Sequence, residues 1–149
     1  MNQEYQHIIE KTSELYNQYG IKSVTMDDVA RELGISKKTL YKYVANKDEL
    51  VDHFVDYLTE KRKCNVDNIK NKNFNAIEEL VEVNEHVIEM LKNYNPSTDY
   101  DLKKYYPDQY RKLRERRRNN MYQAVKDNIM KGKQEGFYRQ ELDEDIIAK

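Results

Sequence analysis

Four lysines and no acid fall between Ser36 and Lys47 in the stretch SKKTLYKYVANK, a local charge of +4 in a chain whose formal net charge is -1. The lysines are Lys37, Lys38, Lys42 and Lys47. Ammonium groups attract phosphate, and the hydroxyls of Ser36 and Thr39 can bond phosphate oxygens or base edges. Tyr41 and Tyr43 are interleaved with the lysines. The chemistry this set can do is recognition of a polyanion. Because the whole chain is almost neutral, any such binding must come from this local clustering.

Short helices must position these groups, and their boundaries are written in capping residues. Thr25 is an N-cap, and Asp28 three residues on completes a capping box with Asp in the acidic place. Val29, Ala30 and Leu33 put apolar groups on one face of that helix. Gly34 stops it, because glycine accepts the left-handed conformation a helix C-terminus often needs. Ile35 packs inward as the turn residue. Ser36 caps a second helix of about two turns that buries Leu40 and Val44. Asn46 with Glu49 opens a third. Two helices joined by a glycine-containing turn form a helix-turn-helix pattern, whose second helix lies in the DNA major groove. A lysine-rich helix face can also be a plain solvated surface. Here the turn, the caps and the acid-free run coincide, which favours nucleic acid.

Residues 5 to 58 resemble the DNA-binding domain of TetR-type transcriptional regulators. The resemblance is carried by Tyr16, Gly20, Thr25, Val29, Ala30, Gly34, Ile35, Ser36, Thr39, Leu40, Tyr41, Tyr43, Asn46, Lys47 and Leu50. Its most specific part is the string from Gly34 to Tyr43. Lys38 departs from a position often Gly or Pro in that family, and Val44 from a common Phe. The first adds positive charge beside DNA; the second trims a core contact. The resemblance implies a homodimer on a near-palindromic operator in double-stranded DNA. It also implies a repressor released by a small molecule, here of unknown identity, that binds a C-terminal helical domain. Lys37, Lys38 and Thr39 are expected nearest to bases. Thr25, Ser36, Tyr41, Lys42, Tyr43 and Lys47 are expected to hold phosphates.

The fold class expected is all-α. A three-helix DNA-binding domain occupies residues 1–46, and a helical effector and dimerisation domain, with its first helix as the link, occupies 47–149. Only four glycines and two prolines occur among 149 residues, which suits long helices. Tyr5, Ile8, Ile9, Thr12, Leu15, Tyr16 and Tyr19 recur at helical spacing over about 3–19, with Gly20 as the cap. Leu50, Phe54, Tyr57 and Leu58 share a face of a helix running to about Ile69. Ile77, Leu80, Val81, Asn84, Val87, Ile88 and Leu91 form an apolar stripe over about 75–94, which Pro96 ends. A short helix is expected over about 99–106. Pro107 opens a long one with Tyr110, Leu113, Met121, Val125 and Ile129 as its apolar positions. Gly132 and Gly136 end it. Asp143 caps a last helix in which Ile146 and Ile147 look like an amphipathic start with no continuation, so the effector domain is expected to be incomplete at its C-terminus.

Asn84, His86, Tyr94, Tyr106 and Tyr110 are candidates for an effector pocket. The tyrosines could instead be core residues with hydroxyls at a wet rim, and His86 an ordinary part-buried histidine. Arg111 to Arg118 is a basic run that reads either as a solvated face or as a second anion contact. His7, His53 and His86 share no metal-binding spacing, and no nucleotide loop or nucleophile motif occurs. No catalytic residue, metal site or cofactor is expected. The single cysteine, Cys64, excludes an internal disulfide and suits a reducing cytoplasm. No apolar run is long enough for a membrane span. The alternative reading is a DNA-binding or protein-interaction module without ligand response.

Overall fold

The computed structural model of the chain describes residues 3–92 and 95–149, and every regular element among them is a helix, which agrees with the all-α class expected. In order these are α1 (Gln3–Tyr19), α2 (Met26–Glu32), α3 (Lys37–Leu40), α4 (Lys47–Lys70), α5 (Ala76–Lys92), α6 (Pro96–Tyr105), α7 (Pro107–Gln134) and α8 (Glu144–Ile147). The described chain forms two compact units. One joins Met1–Leu58 to Tyr94–Leu113; the other joins Thr59–Asn93 to Arg114–Lys149.

The first unit is built on α1. Its inward residues Ile8, Ile9, Leu15 and Tyr16 pack with Ile21, Val24, Val29, Ala30, Leu40, Val44, Leu50, Val51, Phe54 and Val55. Tyr16 and Phe54 meet edge to face at 5.1 Å, a favoured aromatic geometry. Leu102 of α6 and Leu113 of α7 close the same core, although about half the chain separates them from α1. Tyr19, expected on the inner face, is exposed. Gly20, at φ 82°, turns the chain one residue later.

Helix α3 is shorter than the two turns expected. It has four residues, after which Lys42 N–H bonds the Thr39 carbonyl and Tyr43 N–H that of Leu40. These three-residue bonds tighten the last turn into a non-α form while keeping Leu40 and Val44 buried. Pro96 is the first residue of α6 rather than only a stop: Asn95 caps it by accepting from Ser97 N–H at 2.9 Å.

In the second unit the apolar stripe of α5 does not face the core. Leu80, Val81, Ile88 and Leu91 are exposed, with Leu91 at 63%, and Asn84 is exposed among them. The packed face is Ala76 and Glu79, followed by the part-buried Val83, His86 and Met90. A polar clasp lies on that packed face. The buried Glu79 carboxylate pairs with Lys131 at 2.7 Å and accepts from Asn128 at 3.2 Å, and Asn128 also donates to the Ala76 carbonyl. A desolvated carboxylate tolerates no orientation that leaves it unpaired. Met121 on α7 is likewise exposed, against expectation. The last helix is held by charge: Glu144 pairs with Lys133, and Asp145 pairs with Lys126 and accepts from Tyr122.

Gly132 corrects another expectation. It lies inside α7, not at its end; Gly136, at φ 79°, is the terminating residue. A Cβ on Gly132 would stand 2.1 Å from the Tyr138 ring, whose hydroxyl donates to Asn128 Oδ1. Gly132→Ala is therefore expected to displace the ring, break that bond and cost about 1–3 kcal/mol despite alanine's better helix propensity. Denaturant unfolding checks this, and a midpoint equal to or above that of the natural chain would refute it.

Candidate nucleic-acid interface

The helix-turn-helix forms by local hydrogen bonding over the core just described. Thr25 Oγ1 accepts from Asp28 N–H at 3.2 Å, while the Asp28 carboxylate accepts from Thr25 N–H at 2.9 Å and from its hydroxyl at 2.6 Å. The capping box is thus complete. These bonds hold the Asp28 carboxyl below the usual carboxylate range, the Thr25 side chain contributing most. Leu33 N–H and Gly34 N–H close the end of α2, and Gly34 takes φ 65°. Ile35 N–H bonds the Ala30 carbonyl at 3.0 Å, which brings the chain round to Ser36.

Ser36 caps α3 by accepting from Thr39 N–H at 3.0 Å, and the Ser36 and Thr39 hydroxyls share a further bond at 2.8 Å. Both are partly engaged in holding the helix. Lys37, Lys38, Tyr41 and Lys42 are exposed. Lys37 reaches Asp27 on α2 at 3.0 Å, and that bond raises its pKa. The Tyr43 hydroxyl donates to Glu4 on α1. Asn46 caps α4 by accepting from Glu49 N–H at 2.9 Å; Glu49 reaches back to Ala45 N–H, one residue earlier than an ideal capping box. Lys47, the first residue of α4, is part-buried. Desolvation pulls its ammonium down in pKa, and Asp101, Asp28 and Asp48 pull it back up. Its Nζ donates to the Lys22 carbonyl at 3.4 Å.

All nine residues expected at DNA therefore lie in the first unit, at the starts of α2, α3 and α4 and in the turn after α3. Sequence reasoning passed over their supports: Glu4, Lys22, Asp27 and Asp101. No local pattern marks Asp101, which lies 79 residues from its partner.

The five residues read as a possible effector pocket are distributed differently. Tyr106 and Tyr110 pack against the core of the first unit. His86 lies in the second unit, where its Nε2 is 3.3 Å from the Asn65 amide in an open groove of about 360 Å³ lined also by Asn68, Ile69, Lys72, Glu82 and Glu85. Asn84 is exposed on the outward side of α5. Tyr94 lies outside the described residues. In the basic run, Arg111 pairs with Asp108 at 2.6 Å and Lys112 with Asp52 and Asp56, both at 2.9 Å.

A three-helix unit with a glycine turn, a capped second helix and an acid-free lysine run defines a helix-turn-helix DNA-binding domain. Residues 8–54 match the family model for bacterial regulatory proteins of the tetR family. Over 102 residues, 68% of its length, the chain is 33% identical to the uncharacterized HTH-type transcriptional regulator YvaF of Bacillus subtilis (strain 168), matching 53% of that protein. The chain thus spans about half the length of this curated relative. The chain belongs to the tetR family. Its fold, over 99% of its length, is that of the fatty acid degradation regulator FadR from Bacillus halodurans (17% identity, 77% of that chain, TM-score 0.73). It also follows, over 98%, that of AibR solved in complex with isovaleryl coenzyme A and operator DNA (16% identity, 80% of that chain, TM-score 0.66). Among the described residues no helix is long and apolar enough to cross a membrane.

The capping box makes a pH prediction. A carboxyl whose folded pKa is depressed contributes stability above its unfolded value, near 3.9, and loses it as pH falls through the folded value. Asp28→Asn is therefore expected to lower the melting temperature at pH 7. The gap from the natural chain should close as pH falls through the lowered folded value of Asp28. An equal gap at both ends would mean that Asp28 acts through packing and not through its charge.

Proposed function

We propose that this chain binds a specific double-stranded DNA operator and controls transcription, as a repressor released by a small-molecule effector. The observation that carries the reading is the capped helix-turn-helix with Lys37, Lys38 and Lys42 exposed along and just after its second helix. Lys37, Lys38 and Thr39 meet base edges, and Thr25, Ser36, Tyr41, Lys42, Tyr43 and Lys47 hold phosphates. Two copies bind a near-palindrome whose half-sites lie one helical turn, or a multiple, apart. The apolar side chains exposed on α5 and α8 support association with a partner, because monomers rarely expose such surface contiguously. The chain acts in the cytoplasm, where DNA is accessible and Cys64 stays reduced.

Release follows a two-state argument. An effector must bind a conformation incompetent for DNA more tightly than the competent one, or it shifts nothing. AibR, a protein of similar fold, is solved in complex with isovaleryl coenzyme A and operator DNA, so a small molecule and DNA are both partners of one protein of this fold. The domains assigned to these roles are residues 1–46 for DNA and 47–149 for effector and partner. Asn84, His86, Tyr94, Tyr106 and Tyr110 are the residues to test first for the effector.

The test is selection of duplexes from a random library by the full chain, followed by affinity measurements across salt concentrations and light-scattering mass. A near-palindromic site is expected, bound at least about 1,000-fold more tightly than a scrambled duplex at fixed salt. Lys42→Ala should weaken all sequences alike and flatten the salt slope by about 0.9, whereas Lys38→Ala should relax the choice of base. A monomer that binds every duplex equally would leave only the interaction-module reading.

A further inference from the structure

Helix α1 ends where Gly20 turns the chain, the Gly20 N–H bonding the Tyr16 carbonyl at 3.0 Å, and the carbonyls of this last turn take further partners from elsewhere. Helix α6 supplies them. Buried Thr98 donates its hydroxyl to the Tyr16 carbonyl at 2.8 Å, and Asn95 donates its amide to the Asn17 carbonyl at 2.6 Å. One turn further along α6, Asp101, 8% exposed, accepts the Lys22 N–H at 2.8 Å through Oδ2. A Cβ on Gly20 would lie 3.1 Å from that same oxygen, so the carboxylate sits hard against the α1–α2 connection. A charge-assisted bond to a main-chain N–H is among the stronger local restraints.

Lys22 passes the restraint on. Its side chain is fastened to α6 through the Tyr105 hydroxyl at 2.8 Å and lies over the Tyr105 ring. Its carbonyl accepts from the Lys47 ammonium at 3.4 Å. Lysine has three donors, so one bond to a carbonyl leaves two for phosphate. A free lysine carries large rotamer entropy, and an anchored one has less to lose on binding. Asp101 is also close enough to Lys47 to favour its charged form against desolvation.

We propose that Asp101 is a positioning residue for DNA recognition: from α6 it holds the Lys22 main chain, and through the Lys22 carbonyl it fixes where the Lys47 ammonium meets a backbone phosphate. This rests on the reading of the first unit as a DNA-binding domain with Lys47 at phosphate. It gives α6, remote in sequence, a direct part in the affinity of that unit.

The test is a double-mutant cycle on binding of the selected duplex by the full chain: the natural protein, Asp101→Ala, Lys47→Ala and both together. Each single change is expected to raise Kd about tenfold and flatten the salt slope by about 0.9, one phosphate contact. The double variant should be no weaker than Lys47→Ala alone, because the two act through one contact. Asp101→Asn keeps an oxygen for the Lys22 N–H and should bind within about twofold of the natural chain. A fully additive cycle, an unchanged salt slope, or an Asn variant as weak as the Ala variant overturns the inference. If Asp101→Ala melts below the assay temperature, exchange of the Lys22 amide is read in the natural chain instead. Slowing by about tenfold when duplex binds supports positioning, and unchanged exchange overturns it. If the natural chain selects no duplex, or Lys47→Ala binds as it does, the reading beneath the inference has failed and the inference falls with it. That outcome is visible before any Asp101 variant is measured.

Discussion

A helix of four residues has no stability of its own, since forming one turn fixes several residues for a single hydrogen bond. Helix α3 is such a helix, and α2 has only seven residues. What holds both is burial: Leu40 and Val44 below α3, and Val29 and Ala30 below α2, all in a core shared with Tyr16 and Phe54. The exposed lysines are placed only as well as that core is packed. The completion of the core by Leu102 and Leu113 therefore matters to the recognition surface, although neither approaches it in sequence.

The same unit shows how a nearly neutral chain can present a cationic surface. Several of its acids are engaged in internal bonds. Asp28 closes a cap, Glu49 accepts from Ala45 N–H before α4, Asp27 pairs with Lys37, and Glu4 accepts from Tyr43. The exposed pairs are weak and easily exchanged for a phosphate. The caps and the buried Asp101 bond are not easily exchanged, because breaking them leaves main-chain donors unsatisfied.

The second unit obeys a different rule. The packed face of α5 carries a buried polar clasp of Glu79, Asn128 and Lys131, and its largest apolar stripe faces outward. Reading α5 by periodicity finds the helix and misjudges its rotation. Two faces of α5 compete for burial, and the packed one carries Glu79, whose desolvated carboxylate is acceptable there because an amide and an ammonium pair with it. Gly132 shows the same limit. In sequence it looks like a terminator, yet it is a space cleared for Tyr138.

The sequence by itself determined the elements whose cause is local. Thr25 with Asp28, Gly34, Ser36 and Asn46 mark boundaries because each bonds a main-chain group within three or four residues, and the spacing of Ile8, Thr12, Leu15 and Tyr16 marks the inner face of α1. Those are short-range constraints, readable in any window that contains them. Only the tertiary structure decided that α6 and the start of α7 join the first unit. It alone also set which face of α5 is packed, how soon α3 stops being regular, and that Asp101 holds Lys22. Each of these depends on bonds between groups tens of residues apart. Their formation turns on where the backbone has already been brought, a quantity no local pattern carries.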